Sequence, residues 1–433
     1  MDAEPTGGQR SAPEAAFYAI LAEAHVAAPH DLPALIRRHA AAFGATDARC
    51  FLTDLQQTVL VPFLEPRGAD AGEMLEPLPI DSTVAGRAFQ EVQLIVQHHV
   101  GGAAGATVWI PLLDGTERLG VLAASVDDAD ADRFSGPGGA PLRAFASLLG
   151  ELIMTKTMYG DSVVKLRRQA EMGLAAEMQW SLLPPLTFAC PDVAIAALLE
   201  PAYEVAGDTI DYAVDPGIAR VAVFDGMGHG LRSAQLAAMS VATYRHARRA
   251  GLSLLETCRH IDETLLETFA STSFTTAVLA EFDTATGVLN WINAGHPEPL
   301  LLRHAELVKP LHARPRPPLG MDLGWTGLSR EPTLGAEQLE PGDCVLLYTD
   351  GVTDARSPAG AFFGEDRLVD LIARNLAAGL PPPESMRQVV RALLDHQQGR
   401  LTDDASLLLV QWRPDENVMQ AGADGADGAA SGG

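Results

Sequence analysis

Residues 220–230 read RVAVFDGMGHG, a short apolar run that ends on Asp225 and passes into a turn holding Gly226, Gly228 and Gly230. A brief run rich in Val and Phe is the pattern of a buried strand. A carboxylate at the end of such a strand is costly unless water, a hydrogen-bond network or a cation satisfies it. The glycines permit tight or positive-φ backbone and let a carbonyl approach closely whatever Asp225 holds. The spacing is not GxGxxG and no P-loop lysine follows, so a nucleotide cradle is not indicated. A helical pattern opens at Leu231 and continues to Ala250.

The same junction of strand and acid recurs outward from this stretch. Asp208 stands in VAGDTIDY, Asp350 in LLYTDG and Asp403-Asp404 in LTDDASLLL, each where an apolar run begins or ends. One such Asp is ordinarily a strand cap or turn former. Four placements in one region predict strands that end at a common edge and gather carboxylates into one pocket, where like charges repel unless a divalent ion neutralises them. Oxygen-only donors favour Mg²⁺ or Mn²⁺ over zinc. Further strands are read at 275–283, 288–295, 343–350 and 405–412, and further helices at 254–269 and 383–397. The short turn at 283–287 predicts antiparallel pairing.

The 433 residues suffice for two or three domains, and the hydrophobic fraction of 47% with 20% charged residues is that of a globular chain. Net charge is −25, which repels nucleic acid and anionic membranes. Cys50, Cys190, Cys258 and Cys344 lie far apart and form no CxxC pair, so they read as buried apolar residues of a reducing compartment. No apolar run approaches the roughly 20 residues of a membrane span, and no signal pattern is seen, so a cytoplasmic location is expected. Residues 1–11 and 414–433 are expected to be disordered.

Residues 12–154 are read as one α/β or α+β domain: a helical pattern over 13–42 interrupted near Pro29, strands at 49–53, 58–63, 108–113 and 119–126, and a hairpin turn at Asp114-Gly115. One unusually long helix is read from Pro141 through Leu183, stopped by Pro184-Pro185. Its part over 155–185 is expected to be a connector or switch, either a dimer seam or a helix packed on its own domain. The domain that follows is placed at 186–413.

Taken in order, VAGDTIDY, VFDGMGHG with SAQLAA, FTTAVLAEFD, NAGHPEPLLL, LLYTDGVTDAR and LTDDASLLLV resemble the motif set of the metal-dependent protein phosphatases. The similarity is to the bacterial branch typified by SpoIIE and RsbU, and EMQWSLLPP (177–185) resembles the lead-in helix of that branch. The resemblance covers roughly residues 175–412. It implies an overall α+β chain whose C-terminal domain is an α-β-β-α sandwich with a dinuclear Mn²⁺ or Mg²⁺ centre. Position by position, Asp225 resembles the ligand bridging both ions, with the Gly226 carbonyl beside it. Asp208 resembles a ligand of the second ion, and Asp350 one of the first. Asp403 resembles the remaining metal Asp, while Asp404 stands where relatives carry Asn or Asp. Asp225 and Asp208 are thus the residues expected to carry catalysis, by metal-activated attack of water on a phosphoserine or phosphothreonine. His229 and His296 are read as structural or supporting, Asn293 and Gly295 as shaping a strand end, and Arg232 as a solvated residue at a helix start.

STVAGRAFQ (82–90) and the strand pair PLL…LGVL resemble a GAF domain, with a PAS-like domain as the alternative. This resemblance implies a sensor domain that binds a small molecule or dimerises. His98-His99 are read as an exposed loop pair, not a haem site. The partner implied for the catalytic domain is a phosphorylated protein, by resemblance an anti-sigma-factor antagonist. The competing expectations are a catalytically weak scaffold on the phosphatase fold, or a hydrolase of another phosphate ester.

Overall fold

The computed structural model describes residues 11–65, 75–99, 104–200, 203, 207–269, 273–314, 316–322, 329–399, 401 and 403–414. The expected disordered ends therefore lie, apart from Ser11 and Pro414, outside the described residues. The chain divides into two compact units, residues 1–170 and 171–433.

In the first unit, helices α1 (Ala12–Val26) and α2 (Leu32–His39) precede strands β1 (Asp47–Thr53), β2 (Val59–Phe63) and β3 (Leu78–Pro79). Helix α3 (Val84–Glu91), strands β4 (Ile95–His98), β5 (Ala106–Asp114) and β6 (Glu117–Val126), and helices α4 (Asp128–Ala131), α5 (Ala140–Thr157) and α6 (Ser162–Leu166) follow. The sheet order is β3-β2-β1-β6-β5-β4, antiparallel throughout. The expected turn joins β5 to β6 with Gly115 at φ 56°. Alternation along the strands buries two faces. Cys50 and Leu52 meet α1, α2 and α5, and Phe51 meets the Phe89 face of α3.

The single helix expected through 141–183 is instead three: α5, α6 and α7 (Leu174–Leu182). Gly160 falls in the first break and Gly173 caps α7 in extended backbone, and glycine inside a helix costs about 1 kcal/mol relative to alanine. Within the first unit, the end of α6 is tied to the β1–β2 region: Arg167 Nε donates to the Thr53 carbonyl at 2.9 Å, and the Leu55 amide donates to the Arg167 carbonyl at 3.1 Å. A dimer seam or rigid rod along one continuous helix has no continuous helix to run on.

The second unit adds β7 (Thr187–Ala189), β8 (Val193–Glu200), β9 (Asp208–Asp215), β10 (Ile218–Gly226), α8 (Leu231–Arg249), α9 (Leu254–Phe269), β11 (Thr275–Asp283) and β12 (Val288–Ala294). It ends with β13 (Leu300–Arg303), β14 (Glu306–Pro310), β15 (Gly335–Gln338), β16 (Cys344–Tyr348), α10 (Asp350–Thr353), α11 (Glu365–Ala377), α12 (Pro382–His396) and β17 (Ala405–Trp412). Two antiparallel sheets form, β15-β12-β11-β10-β9 and β14-β13-β16-β17-β8-β7.

Strand β10 shows why they stack. Ala219, Val221 and Val223 face the second sheet with Val345, Leu347, Leu408 and Val410, while Ala222 and Phe224 face α8 and α9. The outer face of the second sheet is covered by α11 and α12 through Leu368, Ile372, Val389 and Leu393. The unit is the expected α-β-β-α sandwich, and strands buried on both faces explain its near-continuous apolar runs.

Leu408 is fully buried between the sheets. Leu408→Ala should destabilise the protein by about 2–5 kcal/mol, read as a lower urea midpoint at an unchanged m-value.

Candidate active site

The tight turn Asp215-Pro216-Gly217-Ile218, with Gly217 at φ 79°, pairs Asp215 with Ile218. Following that register to the other end of the hairpin sets Asp208 directly opposite Asp225. The second sheet delivers its acids to the same edge. Tyr348 pairs with Leu407, so Thr349-Asp350 leaves β16 beside Asp403-Asp404, which leads into β17. The five carboxylates grade from buried to exposed. Asp208 (2% exposed) and Asp404 are buried, Asp225 is half-buried, and Asp350 and Asp403 are exposed.

Two polar links join the sheets here. Asp404 Oδ2 accepts the Gly207 amide at 2.5 Å and the Asp208 amide at 3.2 Å. Thr349 Oγ1 donates to Asp208 Oδ2 at 2.6 Å and accepts the Ser406 amide at 2.9 Å. Asp404, which the sequence left undecided, is thus occupied in holding backbone. Gly207 must lack a side chain, because a Cβ there would lie 2.7 Å from the Gly226 carbonyl oxygen.

Asp225 Oδ2 is approached by Thr276 Oγ1 at 3.4 Å, and that hydroxyl lies 2.8 Å from His296 Nδ1. The His296 backbone is fixed by Asn293, whose Oδ1 accepts its amide at 2.9 Å and whose Nδ2 donates to its carbonyl at 2.8 Å. Gly295 supplies the turn at φ 70°. His296 is thus a buried structural residue, and Asn293 and Gly295 shape the end of the strand as read. His229 does not sit in the core as a satisfied histidine; it is exposed on the glycine turn, where Gly228 and Gly230 take positive φ. Arg232 is not simply solvated, since its Nε donates to Ser273 Oγ at 3.0 Å.

Electrostatics follow from burial and crowding. Burial, then Asp225 and Asp404, hold the Asp208 carboxyl well above the usual range. Burial, then Asp350 and Asp403, push Asp225 up to about 7. Asp350 is raised by burial and by Asp403, and burial pushes Asp404 up to about 6 against its backbone hydrogen bonds. Burial holds His296 neutral, down to about 4. Among the described residues, no cationic side chain figures among the groups that set these four aspartates. An all-oxygen set with surplus negative charge suits a hard divalent cation. As the side chains stand, no three His, Cys, Asp or Glu among the described residues form a ligand group.

Beside the glycine turn, a groove of about 1030 Å³ opens between α7, α8 and α9, lined by Met178, Leu182, Leu231, Arg232, Met239 and Phe269.

With this geometry in place, residues 215–413 match the family model described as Stage II sporulation protein E (SpoIIE). This stretch is similar to the SpoIIE family. The match contains Asp225, Gly226, Asp350 and Asp403, and Asp208 with α7 lies just ahead of it. The chain is 33% identical over 138 residues to protein IcfG of Synechocystis, covering 32% of this chain and 20% of IcfG. It is 28% identical over 256 residues to the phosphoserine phosphatase RsbP of Bacillus subtilis, covering 57% of this chain and 59% of RsbP. Among solved structures, the RsbU and RsbW domains of Rv1364c from Mycobacterium tuberculosis superpose with a TM-score of 0.44 at 26% identity, over 52% of this chain and 60% of that one. The chain thus spans less than two thirds of each of these relatives.

Sequence reasoning missed Thr349 and Thr276, the hydroxyls that reach Asp208 and Asp225. The faint signal for Thr349 was its place between a strand end and Asp350.

Asp225 binds its proton up to about pH 7 in the fold, against about 3.9 in an unfolded chain. The folded state therefore holds more protons between these values, and the stability of the cation-free protein should fall as pH rises from about 4 to about 7. Asp225→Asn should raise cation-free stability at pH 8 by on the order of 2 kcal/mol and flatten that pH dependence, measured by urea melts across the range.

Proposed function

We propose that this chain is a divalent-cation-dependent phosphatase of phosphoserine or phosphothreonine in a protein. The observation that carries the reading is the aspartate edge: carboxylates from both sheets of a SpoIIE-type domain crowd together and, among the described residues, repel one another with no cationic side chain named beside them. RsbP, similar over 57% of the chain, is named a phosphoserine phosphatase.

Asp225 and Asp208, paired across β10 and β9, would hold two Mn²⁺ or Mg²⁺ ions together with the Gly226 carbonyl, Asp350 and Asp403. Bound there, the ions supply Lewis acidity toward the phosphoryl oxygens and a nucleophile drawn from water near neutral pH. The chain's own part is positional. Thr349 and the Asp404 clasp fix Asp208 in a buried setting, and Thr276, backed by neutral His296, orients Asp225. Asp350 and Asp403 stand at the exposed mouth, where a phosphoryl group arrives. The apolar groove beside the glycine turn offers a seat for a segment of the phosphoprotein. By resemblance that protein is an anti-sigma-factor antagonist, the location cytoplasmic, and the separate N-terminal unit a GAF-like sensor with a small-molecule ligand. No helix among the described residues is long and apolar enough to cross a membrane.

Turnover on p-nitrophenyl phosphate and on a phosphoserine protein, with and without Mn²⁺, tests the reading. Hydrolysis should require the ion, and Asp225→Asn should lower kcat by about a hundredfold or more through loss of several kcal/mol of charge stabilisation. A wild type inactive on both substrates with Mn²⁺ would favour the scaffold reading.

A further inference from the structure

Strand β11 presents Thr276 to Asp225, yet its neighbour β12 stops short of that point. The last pair between them is Ala277 with Ala294, after which Gly295 turns the chain away at φ 70°. Leu319 takes the vacated place beside Thr275, donating its amide to the Thr275 carbonyl at 2.8 Å and accepting the Thr275 amide at 2.9 Å. Arg316 runs beside Ala294, and its amide donates to the Asn293 carbonyl at 3.4 Å. Pro318 packs against Gly295, where a Cβ would lie 2.9 Å from the proline Cδ. Residues 316–320 thus form a strap behind the end of β11, whose Thr275 and Thr276 pair on the other side with Gly226 and Asp225.

One carboxylate of α9 pins the strap. Asp262 is 4% exposed; its Oδ1 accepts the Gly320 amide at 2.7 Å, and its Oδ2 accepts Arg316 Nη2 at 2.8 Å and Arg330 Nη2 at 2.8 Å. Arg316 is itself buried, and its Nη1 donates to Cys258 Sγ at 2.8 Å. Cys258 and Asp262 stand one turn apart on α9, so the guanidinium spans one face of that helix. Burial holds the Cys258 thiol above its usual range, so the thiol stays neutral and Asp262 supplies the negative charge beside Arg316. A buried charge that loses its partner is strongly unfavourable, so Arg316 and Gly320 stay where α9 holds them.

We propose that Asp262 is a positioning residue for Asp225: from α9 it fixes the 316–320 strap, and the strap fixes the end of β11 that carries Thr276. Each step is a hydrogen bond, from Gly320 to Asp262, between Leu319 and Thr275, and from Thr276 to Asp225. Asp208 is held separately, by Thr349 and Asp404 of the second sheet. Releasing the strap therefore loosens one member of the aspartate pair and spares the other. The proposal rests on the phosphatase reading for its effect on turnover, but not for the hold on Thr276.

The test uses the full chain as Asp262→Asn, Arg330→Met and Thr276→Val. Glu331→Gln is the control, since the exposed pair of Glu331 with Arg259 is a surface salt bridge of little weight. Arg330 is 37% exposed, so Arg330→Met reads the node even where Asp262→Asn does not fold. Hydrogen exchange without added cation comes first. The Asp262 and Arg330 variants should speed exchange at residues 274–276 and 294–296 selectively over 208–212, and Glu331→Gln should match the wild type. Turnover of p-nitrophenyl phosphate with Mn²⁺ then closes a double-mutant cycle. Asp262→Asn alone should lower kcat about tenfold with KM little changed, and in the Thr276→Val background it should lower kcat by less than about twofold. Unchanged exchange at 274–276 in every folded node variant would overturn the strap. Faster exchange with the same loss of kcat in both backgrounds would overturn its link to Asp225. A wild type without Mn²⁺-dependent turnover whose variants keep the exchange pattern would remove the phosphatase reading and leave the strap standing.

Discussion

Crowded negative charge at one edge of the two-sheet sandwich is the constraint around which the second unit is arranged. Five aspartates converge there, and burial together with mutual repulsion drives Asp208, Asp225, Asp350 and Asp404 toward their neutral forms. A fold spends stability to keep such an edge, and sites of this kind are where natural proteins accept that loss for function. The surrounding structure reads as a response to the strain. Neutral donors are brought to the carboxylates: the Thr349 and Thr276 hydroxyls and the amides of Gly207 and Asp208. Arginine is kept to the next layer, where Arg245 and Arg248 neutralise Asp211.

The division of labour between the adjacent acids follows from geometry. Asp404 turns inward onto the backbone at the start of β9 and ties one sheet to the other, while Asp403 is exposed beside Asp350. An amide in place of Asp404 would present the same accepting oxygen to Gly207 and Asp208, consistent with a role that needs no charge. Gly351 sits so near the Asp404 carbonyl that a Cβ would lie 1.8 Å from its oxygen, so the two second-sheet loops can approach only because that residue has no side chain.

Much of this was legible beforehand because the strands are short, apolar and punctuated. The Val-Ala-Val-Phe run before Asp225, the runs before Asp350 and after Asp404, and the glycine turn all lie where the periodicity placed them. The continuous helix through 141–183 was misread because apolar residues recur at helical spacing on both sides of Gly160 and Gly173, and periodicity alone does not register a break. Helix α11 and strands β3, β4, β7, β8, β13, β14 and β15 went unread; the shortest of them carry too little pattern, while β8 is an apolar run without alternation.

What the sequence by itself determined is the set of acids and their place at strand ends, because short apolar runs punctuated by Asp and Gly mark where buried strands begin and stop. What only the tertiary structure decided is which neighbours act on them. Thr349 reaches Asp208, Thr276 links His296 to Asp225, and Gln179 reaches the carbonyl of Asp208 across sequence separations of 141, 51, 20 and 29 residues. Contacts that span such distances arise from the stacking of two sheets and the docking of a helix, and local spacing carries no record of either.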